Sequence, residues 1–170
     1  SLAFLLFAFH QISFSQAAGN NTCASATVLT VNPDCSPTNG HLYQANSTSP
    51  IGGCGNRPDV WYRFTVPANT TSITINVVLT SNPSSLTVNN TSIELFNTAN
   101  CATINSSSIQ GCQGIQAPRT YAVTAGATYY FRIYTTANPN VNPTNWGFRV
   151  CVTSNDNCAT ASTIVAGSSL

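Results

Sequence analysis

One stretch of the chain alternates so regularly between apolar and polar side chains that a β-sheet has to be built around it. Residues 58–67 read PDVWYRFTVP, with a proline at each end. A period of two is typical of a strand that packs one face against a core, and proline cannot donate to a sheet ladder from a strand interior. We therefore predict a central strand between the prolines, with these side chains facing the core: Val60, Tyr62, Phe64 and Val66.

Other segments show the same alternation, and no stretch has a helical period. We predict further strands at residues 27–31, 72–79, 91–96, 119–124, 128–134 and 146–152, and a weak strand at 41–45. Residues 97–112 are mostly polar and are predicted to be a loop. About eight short, half-apolar strands predict an all-β fold, a two-sheet antiparallel β-sandwich of the jelly-roll or immunoglobulin-like type.

The low charge of the chain restricts its partners. Charged residues make up 5% of the sequence, against about 25% in a typical soluble domain. The formal net charge of +1 gives no electrostatic basis for binding nucleic acid or an anionic membrane. So neutral a surface is poorly protected against self-association. We infer that covalent glycan keeps the protein in solution, or that association is its purpose.

The beginning of the chain has the features of a secretory signal. Residues 1–17 contain an apolar run that is too short to span a bilayer, and the run ends at Ser15-Gln16-Ala17, a small-x-small cleavage site. We predict that residues 1–17 are removed, that residues 18–152 form the sandwich domain, and that no segment spans a membrane. The alternative is a retained apolar segment that packs in the mature protein.

Seven cysteines are scattered along the chain without a Cys-x-x-Cys pair, and His41 is the only histidine near them. A zinc site is therefore not expected, and a disulfide framework formed in an oxidising compartment is predicted instead. Cys158 is interpreted as a free or intermodule cysteine. The predicted bridges, which would close two loops and tie the N-terminal segment to the last strand, are Cys101–Cys112, Cys35–Cys54 and Cys23–Cys151.

Three short motifs together resemble a known family. They are DVWYRFTVPA at residues 59–68, TAGATYYFRI at residues 124–133 and GFRV at residues 147–150. Over residues 20–152 the chain is similar to bacterial pre-peptidase C-terminal-type modules, which are β-sandwich domains of secreted enzymes and cell-surface proteins. The resemblance implies secretion, a non-catalytic accessory or structural role, and binding to surfaces, glycans or like modules.

The chain is poor in groups that perform acid–base chemistry. Its acids are well separated in sequence, so that neither a carboxylate pair nor a Ser-His-Asp set can be assembled, and no Asp-x-Asp pattern indicates calcium. We therefore expect no enzymatic activity, no catalytic residue, no metal and no cofactor. Asp59 is expected to accept hydrogen bonds from the backbone of a neighbouring loop. The acids are Asp34, Asp59, Glu94 and Asp156.

The side chains on the outward parity of three predicted strands are largely aromatic residues or arginine. If these strands share a sheet, its outer face could stack against sugars or a partner subunit. The alternative is a cross-strand ladder that only shields the sheet. The residues of this predicted face are Trp61, Arg63, Tyr130, Arg132, Tyr134 and Arg149.

Sequons for N-glycosylation all fall in predicted loops or strand ends, where a glycan could be attached. Their number alone indicates little, because the composition is rich in Asn, Ser and Thr. Their placement, together with the missing charge, leads us to predict covalent glycans. The candidate residues are Asn20, Asn46, Asn69, Asn89, Asn90 and Asn105.

The end of the chain repeats its beginning. Residues 155–165, NDNCATASTIV, match residues 20–30, NNTCASATVLT, around a shared Cys-Ala-Ser/Thr-Ala-Ser/Thr core. We interpret residues 153–170 as a linker and a second copy of the first strand. This copy begins a next module or pairs with a sheet edge of a neighbouring one.

Head-to-tail strand addition does not close on itself and therefore yields a filament. We accordingly predict a secreted structural subunit that assembles with copies of itself into an extracellular, glycosylated fibre or surface layer with an adhesive role. The alternative prediction is a carbohydrate- or surface-binding accessory module of a larger secreted protein.

Overall fold

The computed structural model describes residues 17–48, 53–80, 85–140 and 145–155, which form two β-sheets with three short 3-10 turns. No helix in these ranges is long and apolar enough to cross a membrane. The predicted signal segment up to residue 16 and the repeat from residue 156 onward lie outside the described residues. The strands are β1 Thr27–Val28, β2 Val31–Asn32, β3 Thr38–His41, β4 Asp59–Thr65, β5 Ser72–Leu79, β6 Thr91–Phe96, β7 Ile109–Gly114, β8 Arg119–Ala122, β9 Thr128–Thr135 and β10 Gly147–Ser154.

The two sheets confirm the predicted sandwich. The first sheet has the order β1-β4-β9-β6-β7, and the second has the order β2-β10-β5-β8, with β3 also paired to β10. The pairs are antiparallel except for β1 with β4 and β2 with β10, which are parallel. Both sheets are therefore mixed rather than purely antiparallel, because the N-terminal segment enters each of them in the direction of its neighbour.

The core between the sheets includes the side chains that the alternation of residues 60–66 placed inward. Val60, Tyr62, Phe64 and Val66 are all buried there. The ring of Tyr62 stacks on that of Phe131, with 5.2 Å between centroids. Burial of a large apolar side chain stabilises a fold by about 1.5–3 kcal/mol. This layer is therefore the main reason that the two sheets stay together.

The N-terminal segment closes one side of the sandwich by crossing from one sheet to the other. Thr27 lies opposite Tyr62 in the first sheet, and Val31 lies opposite Val152 in the second. Leu29, at the crossing, is buried in the core. The single strand predicted at residues 27–31 is therefore two strands, because a crossing segment cannot pair with both sheets at the same residues.

The structure also differs from the sequence prediction at β7 and β3. Residues 109–114, predicted to be part of a polar loop, form an edge strand on β6, although Ile109 is its only large apolar residue. The weak strand predicted at 41–45 lies at Thr38–His41 instead. Both are edge segments, where backbone pairing to a neighbour decides the structure and alternation contributes little.

Candidate functional site

The outward side of the first sheet is covered by a second apolar layer. Trp61 of β4 and Phe96 of β6 stack there, with 5.3 Å between ring centroids. They form a buried cluster with Cys23 and Tyr130, and partly buried residues of the 22–26 and 97–109 segments pack around it. The first sheet is consequently buried on both faces where this layer covers it.

This layer contradicts the predicted binding face. Arg63 is exposed on β4, whereas Arg149 is exposed on β10 in the other sheet. The remaining residues of the face are buried, because the chain folds its own loops over them, so a ready-made surface for sugars or a subunit was the wrong interpretation. The alternative, a cross-strand ladder of side chains that only shields the sheet, also describes this face incompletely, because these side chains are themselves covered by loops. The buried members are Trp61, Tyr130, Arg132 and Tyr134.

An ion-pair network lies within this covered side. Arg132, at the middle of β9, lies between Asp59 at the start of β4 and Glu94 on β6. Its Nη1 donates to Asp59 Oδ2 at 2.7 Å and its Nε donates to Glu94 Oε2 at 2.5 Å. All three side chains have an exposure of 0%. The network therefore joins three adjacent strands through groups that no solvent reaches.

The same network fixes the loop that precedes β4. Asp59 Oδ1 accepts from Thr48 Oγ1 at 2.7 Å and from Trp61 Nε1 at 2.9 Å. Arg132 Nη2 donates to the carbonyl oxygen of Gly55 at 2.8 Å. Asp59 thus has the predicted structural role at the strand entry, but its partners are side chains rather than loop backbone. The signal for this site was an arginine and two acids on strands with otherwise apolar residues.

Burial and shared charge set the protonation of the two acids. Removal from solvent raises the pKa of Asp59, and hydrogen bonds from Thr48 and Arg132 oppose the rise. Burial likewise raises the pKa of Glu94, and the Arg132 charge opposes it. One guanidinium cannot neutralise two carboxylates, so the buried network would carry a net negative charge if both acids were ionised. We therefore expect the acids to hold a proton to higher pH than in the unfolded chain.

This direction gives a pH dependence of stability. An acid with a raised pKa stabilises the fold most below its unfolded pKa, here 3.8 for Asp59 and 4.5 for Glu94, and that contribution is lost as pH rises through the folded pKa. His41 acts in the opposite sense, because burial lowers its pKa from 6.5. We expect Glu94→Gln to flatten the fall of the urea midpoint with rising pH. Asp34→Asn, which changes an exposed carboxylate outside the network, should leave the slope intact; equal slopes in both variants would contradict the assignment.

Two disulfides join a loop to a strand and a third joins two of the segments that cover the first sheet, with pairings that differ from those predicted. The structure joins Cys23 with Cys101, Cys35 with Cys151 and Cys54 with Cys112. The predicted bridges Cys101–Cys112, Cys35–Cys54 and Cys23–Cys151 are therefore wrong. Two of the predicted bridges paired cysteines that are near in sequence, whereas the sheet order brings together cysteines 58 to 116 residues apart. The third prediction failed because Cys23 lies in the layer over the first sheet, whereas Cys151 lies in β10 of the second sheet. Cys158 lies outside the described residues.

The Cys54–Cys112 bridge lies against the ion-pair network. The sulfur atoms and a Glu94 oxygen are all within 4.8 Å of one another, an arrangement that resembles a metal site. The two sulfurs are bonded to each other, however, and metals bind the thiolate form. The Cys54 N–H instead donates to Glu94 Oε1 at 3.4 Å. In this oxidised state Cys54, Cys112 and Glu94 hold the loop that precedes β4 in place. The absence of a metal remains a prediction.

A second feature lies on the side of the sandwich opposite the N-terminal crossing. There β7 and β8, the edge strands of the two sheets, leave between them a cleft of about 600 Å³. Its lining is mostly polar, and sequence reasoning missed it because β7 was not predicted. We call this cleft the seam; its lining residues are Gln110, Gly111, Gln113, Pro118, Arg119, Thr120, Tyr121 and Ala122.

Tyr121 is the most deeply buried polar side chain in the seam. It is 7% exposed and packs in the core, and its hydroxyl has no hydrogen-bond partner among the described residues. Burial raises its pKa to about 12, and the charge of Arg119 opposes the rise. A buried hydroxyl without a partner costs about 1–3 kcal/mol, so one of the residues that line the seam has an unsatisfied polar atom.

The glycosylation candidates differ in how accessible their side chains are. Asn20 Nδ2 donates to the Trp61 carbonyl and Asn90 Nδ2 donates to the Ser85 carbonyl, both at 2.8 Å. Both residues are part-buried, so their amide nitrogens are already engaged. The exposed candidates are Asn46, Asn69, Asn89 and Asn105.

Comparisons with known proteins give structural matches only. No family model matches the chain, and no curated protein matches it in sequence. Among the solved structures that match is the pre-peptidase C-terminal domain of a collagenase from Bacillus anthracis. It has 15% identity and a TM-score of 0.42, and the match covers 75% of this chain and 93% of that domain. The family that residues 59–68 resemble is thus represented among the matches.

Two other matched structures have different descriptions. One is PliG, a periplasmic inhibitor of g-type lysozyme from Aeromonas hydrophila, with 12% identity, a TM-score of 0.38 and coverage of 75% of this chain and 98% of that one. Another is the CBM36-1 domain of a xylanase from the hindgut metagenome of Trinervitermes trinervoides, with 16% identity, a TM-score of 0.26 and coverage of 69% and 87%. With TM-scores this low, a function has to be argued from the chain's own residues.

Proposed function

We propose that the chain is a secreted, non-catalytic structural module that joins copies of itself head to tail into an extracellular fibre or surface layer. The repeated sequence is the observation that carries the proposal: residues 155–165 repeat residues 20–30 of the N-terminal segment. The first copy already closes one side of the sandwich, where Cys23–Cys101 holds it. The opposite side of the sandwich is open at the seam. A strand-forming segment whose matching place is already filled is suited to pair with another molecule.

The buried acids support a non-catalytic role. Asp59 and Glu94 have an exposure of 0% and both accept hydrogen bonds from Arg132. A general acid or base has to come within hydrogen-bond reach of a substrate. Neither carboxylate can do so without dismantling the network that holds three strands together.

The disulfides support secretion. Three bridges join six cysteines of a small domain, and such bridges persist in oxidising compartments and are rare in the cytosol. An extracellular location also fits covalent glycan, which would supply hydration to a surface with few charges.

We expect glycans on the exposed sequons and not on Asn20 or Asn90, whose amide nitrogens are engaged. The measurement is glycopeptide mass spectrometry of the protein secreted from a host that glycosylates such sequons. Occupancy at Asn20 or Asn90 equal to that at Asn46 and Asn69 would contradict the structural distinction, whereas modification of hydroxyl side chains would leave it unaffected.

Assembly is tested by comparing the full chain with a chain that ends at Asn155, which keeps every buried core residue of the described ranges, from Ala18 to Val152. We expect filaments or concentration-dependent oligomers from the full chain by electron microscopy and sedimentation, and a folded monomer from the shortened one. Cys158→Ser is the matched control, because it separates strand pairing from accidental disulfide cross-linking. A full chain that stays monomeric at all concentrations, or a shortened chain that still assembles, would overturn the proposal.

A second candidate function is favoured by the polar lining of the seam. Gln110, Gln113 and Arg119 supply amide and guanidinium groups of the kind that bind sugar hydroxyls. A carbohydrate- or surface-binding accessory module would remain monomeric and bind a glycan array. Loss of that binding in Arg119→Ala, with the exposed Arg149→Ala as control, would support this candidate over assembly.

A further inference from the structure

We infer that the seam between β7 and β8 is the acceptor site for the carboxyl segment, residues 156–170, of a second copy of this chain, an inference that rests on the proposed function. The occupant is an extended strand that enters between the two sheet edges.

Both edges direct backbone groups into the seam. The Val123 N–H donates to the Thr71 carbonyl at 2.9 Å, so by the alternation of an antiparallel ladder Tyr121 points its backbone groups to β5, whereas Thr120 and Ala122 point theirs into the seam. On the other side, the Gly114 carbonyl faces the seam, since it accepts from Arg119 Nε at 2.6 Å.

The two edges also have the geometry to receive one strand. The Gln110 side chain bridges to the Ala122 carbonyl at one end, and Arg119 bridges to Gly114 at the other. The edges are therefore antiparallel and joined across the seam by side chains rather than by a backbone ladder. An inserted strand would replace these bridges with backbone bonds to both sheets, which is the usual mode of strand addition.

The floor of the seam provides a second, independent indication of a ligand. Tyr121 is buried and its hydroxyl has no partner among the described residues. The sequence ATASTIV at residues 159–165 places a serine or threonine at three of its seven positions, ends in two β-branched residues, and contains no charge or proline. A hydroxyl from this strand would give the Tyr121 hydroxyl the partner that the free module lacks.

The course of β10 favours a second copy as the source. The Asn155 N–H donates to the Ser72 carbonyl at 3.2 Å, and its side chain bonds to Thr74, so the chain is still paired with β5 where the described residues end. β8 lies on the far side of β5. To enter its own seam the segment would have to reverse and cross the ends of two strands, whereas a neighbouring molecule receives it without a reversal.

The experiment uses two variants. One can insert its residues 156–170 into a neighbour but cannot receive a strand in its own seam, and the other can only receive a strand. Thr120→Pro in the full chain removes an N–H that faces the seam without breaking the β5 ladder. Thr120→Val is its matched control, because both lose the hydroxyl bonded to Thr74 but only proline loses the N–H. The chain ending at Asn155 keeps the seam and lacks the donor.

In sedimentation experiments we expect the full chain and Thr120→Val to assemble alike and Thr120→Pro to associate about tenfold more weakly or not at all. Thr120→Pro mixed with the shortened chain should give a complex limited to one copy of each. Tyr121→Phe should stabilise the shortened chain and yet weaken assembly of the full one, which a purely structural hydroxyl would not do.

Assembly of Thr120→Pro equal to that of Thr120→Val would overturn the seam as acceptor and leave the proposed function standing. A full chain that is monomeric, with seam amides protected from exchange only when residues 156–170 are present, would show that the segment fills its own seam and would overturn the second copy as its source. A monomeric full chain with unprotected seam amides would overturn both.

Discussion

Arg132→Met is expected to lower the free energy of unfolding by about 3–5 kcal/mol, because it leaves two carboxylates buried without a counter-charge. Asp59 and Glu94 each lose a bond of 2.7 Å or less to the guanidinium. The carbonyl of Gly55 also loses its donor. A loss of this size is a large fraction of the stability of an ordinary domain, and urea unfolding followed by tryptophan fluorescence measures it.

Two further variants make the result specific to the network. Arg63→Met changes an exposed arginine on the neighbouring strand and should cost no more than about 0.5 kcal/mol. Combining Arg132→Met with Asp59→Asn and Glu94→Gln should recover much of the lost stability, since no buried charge then remains. If Arg132→Met costs as little as Arg63→Met, the network does not stabilise the fold.

The second large effect is expected for the bridge with the longest sequence separation. Cys35 and Cys151 are 116 residues apart, and Cys35→Ala with Cys151→Ala should lower the free energy of unfolding by about 4–5 kcal/mol in the chain-entropy model. Cys151 is 3% exposed, so alanine there opens only a small cavity.

The bridge between Cys54 and Cys112 offers a comparison, because its separation is 58. The chain-entropy model gives only about 0.6 kcal/mol for each doubling of loop length. A much larger loss on removing Cys54–Cys112 would indicate that the network at Glu94 depends on this bridge. If removing Cys35–Cys151 does not lower the free energy of unfolding, the unfolded chain has little conformational entropy for this bridge to remove.

The core-facing side of a strand was predictable from the sequence, as β4 and β5 demonstrate. The same alternation misled us about the outer face. In residues 128–135 aromatic and aliphatic side chains occupy both parities, a pattern typical of strands buried on both faces. The parity of Trp61 and Arg132 was correct, but parity does not say whether a loop will cover the side chain.

The parts that could not be predicted depend on contacts between distant segments. β7 forms because β6 offers an edge, and its sequence IQGCQG has little strand preference of its own. Cys101 was paired with the cysteine nearest in sequence, whereas the fold brings Cys23 to it from 78 residues away. The seam could not be foreseen, because it exists only between two edges of which one was not predicted.

Amide hydrogen exchange of the full chain at several concentrations tests most directly whether the seam receives a strand from another molecule. We predict that the amides of Thr120 and Ala122 are unprotected at low concentration, become protected as the protein assembles, and stay unprotected in the chain that ends at Asn155. Protection that is absent in the assembled protein, or that is equal at every concentration, would contradict it.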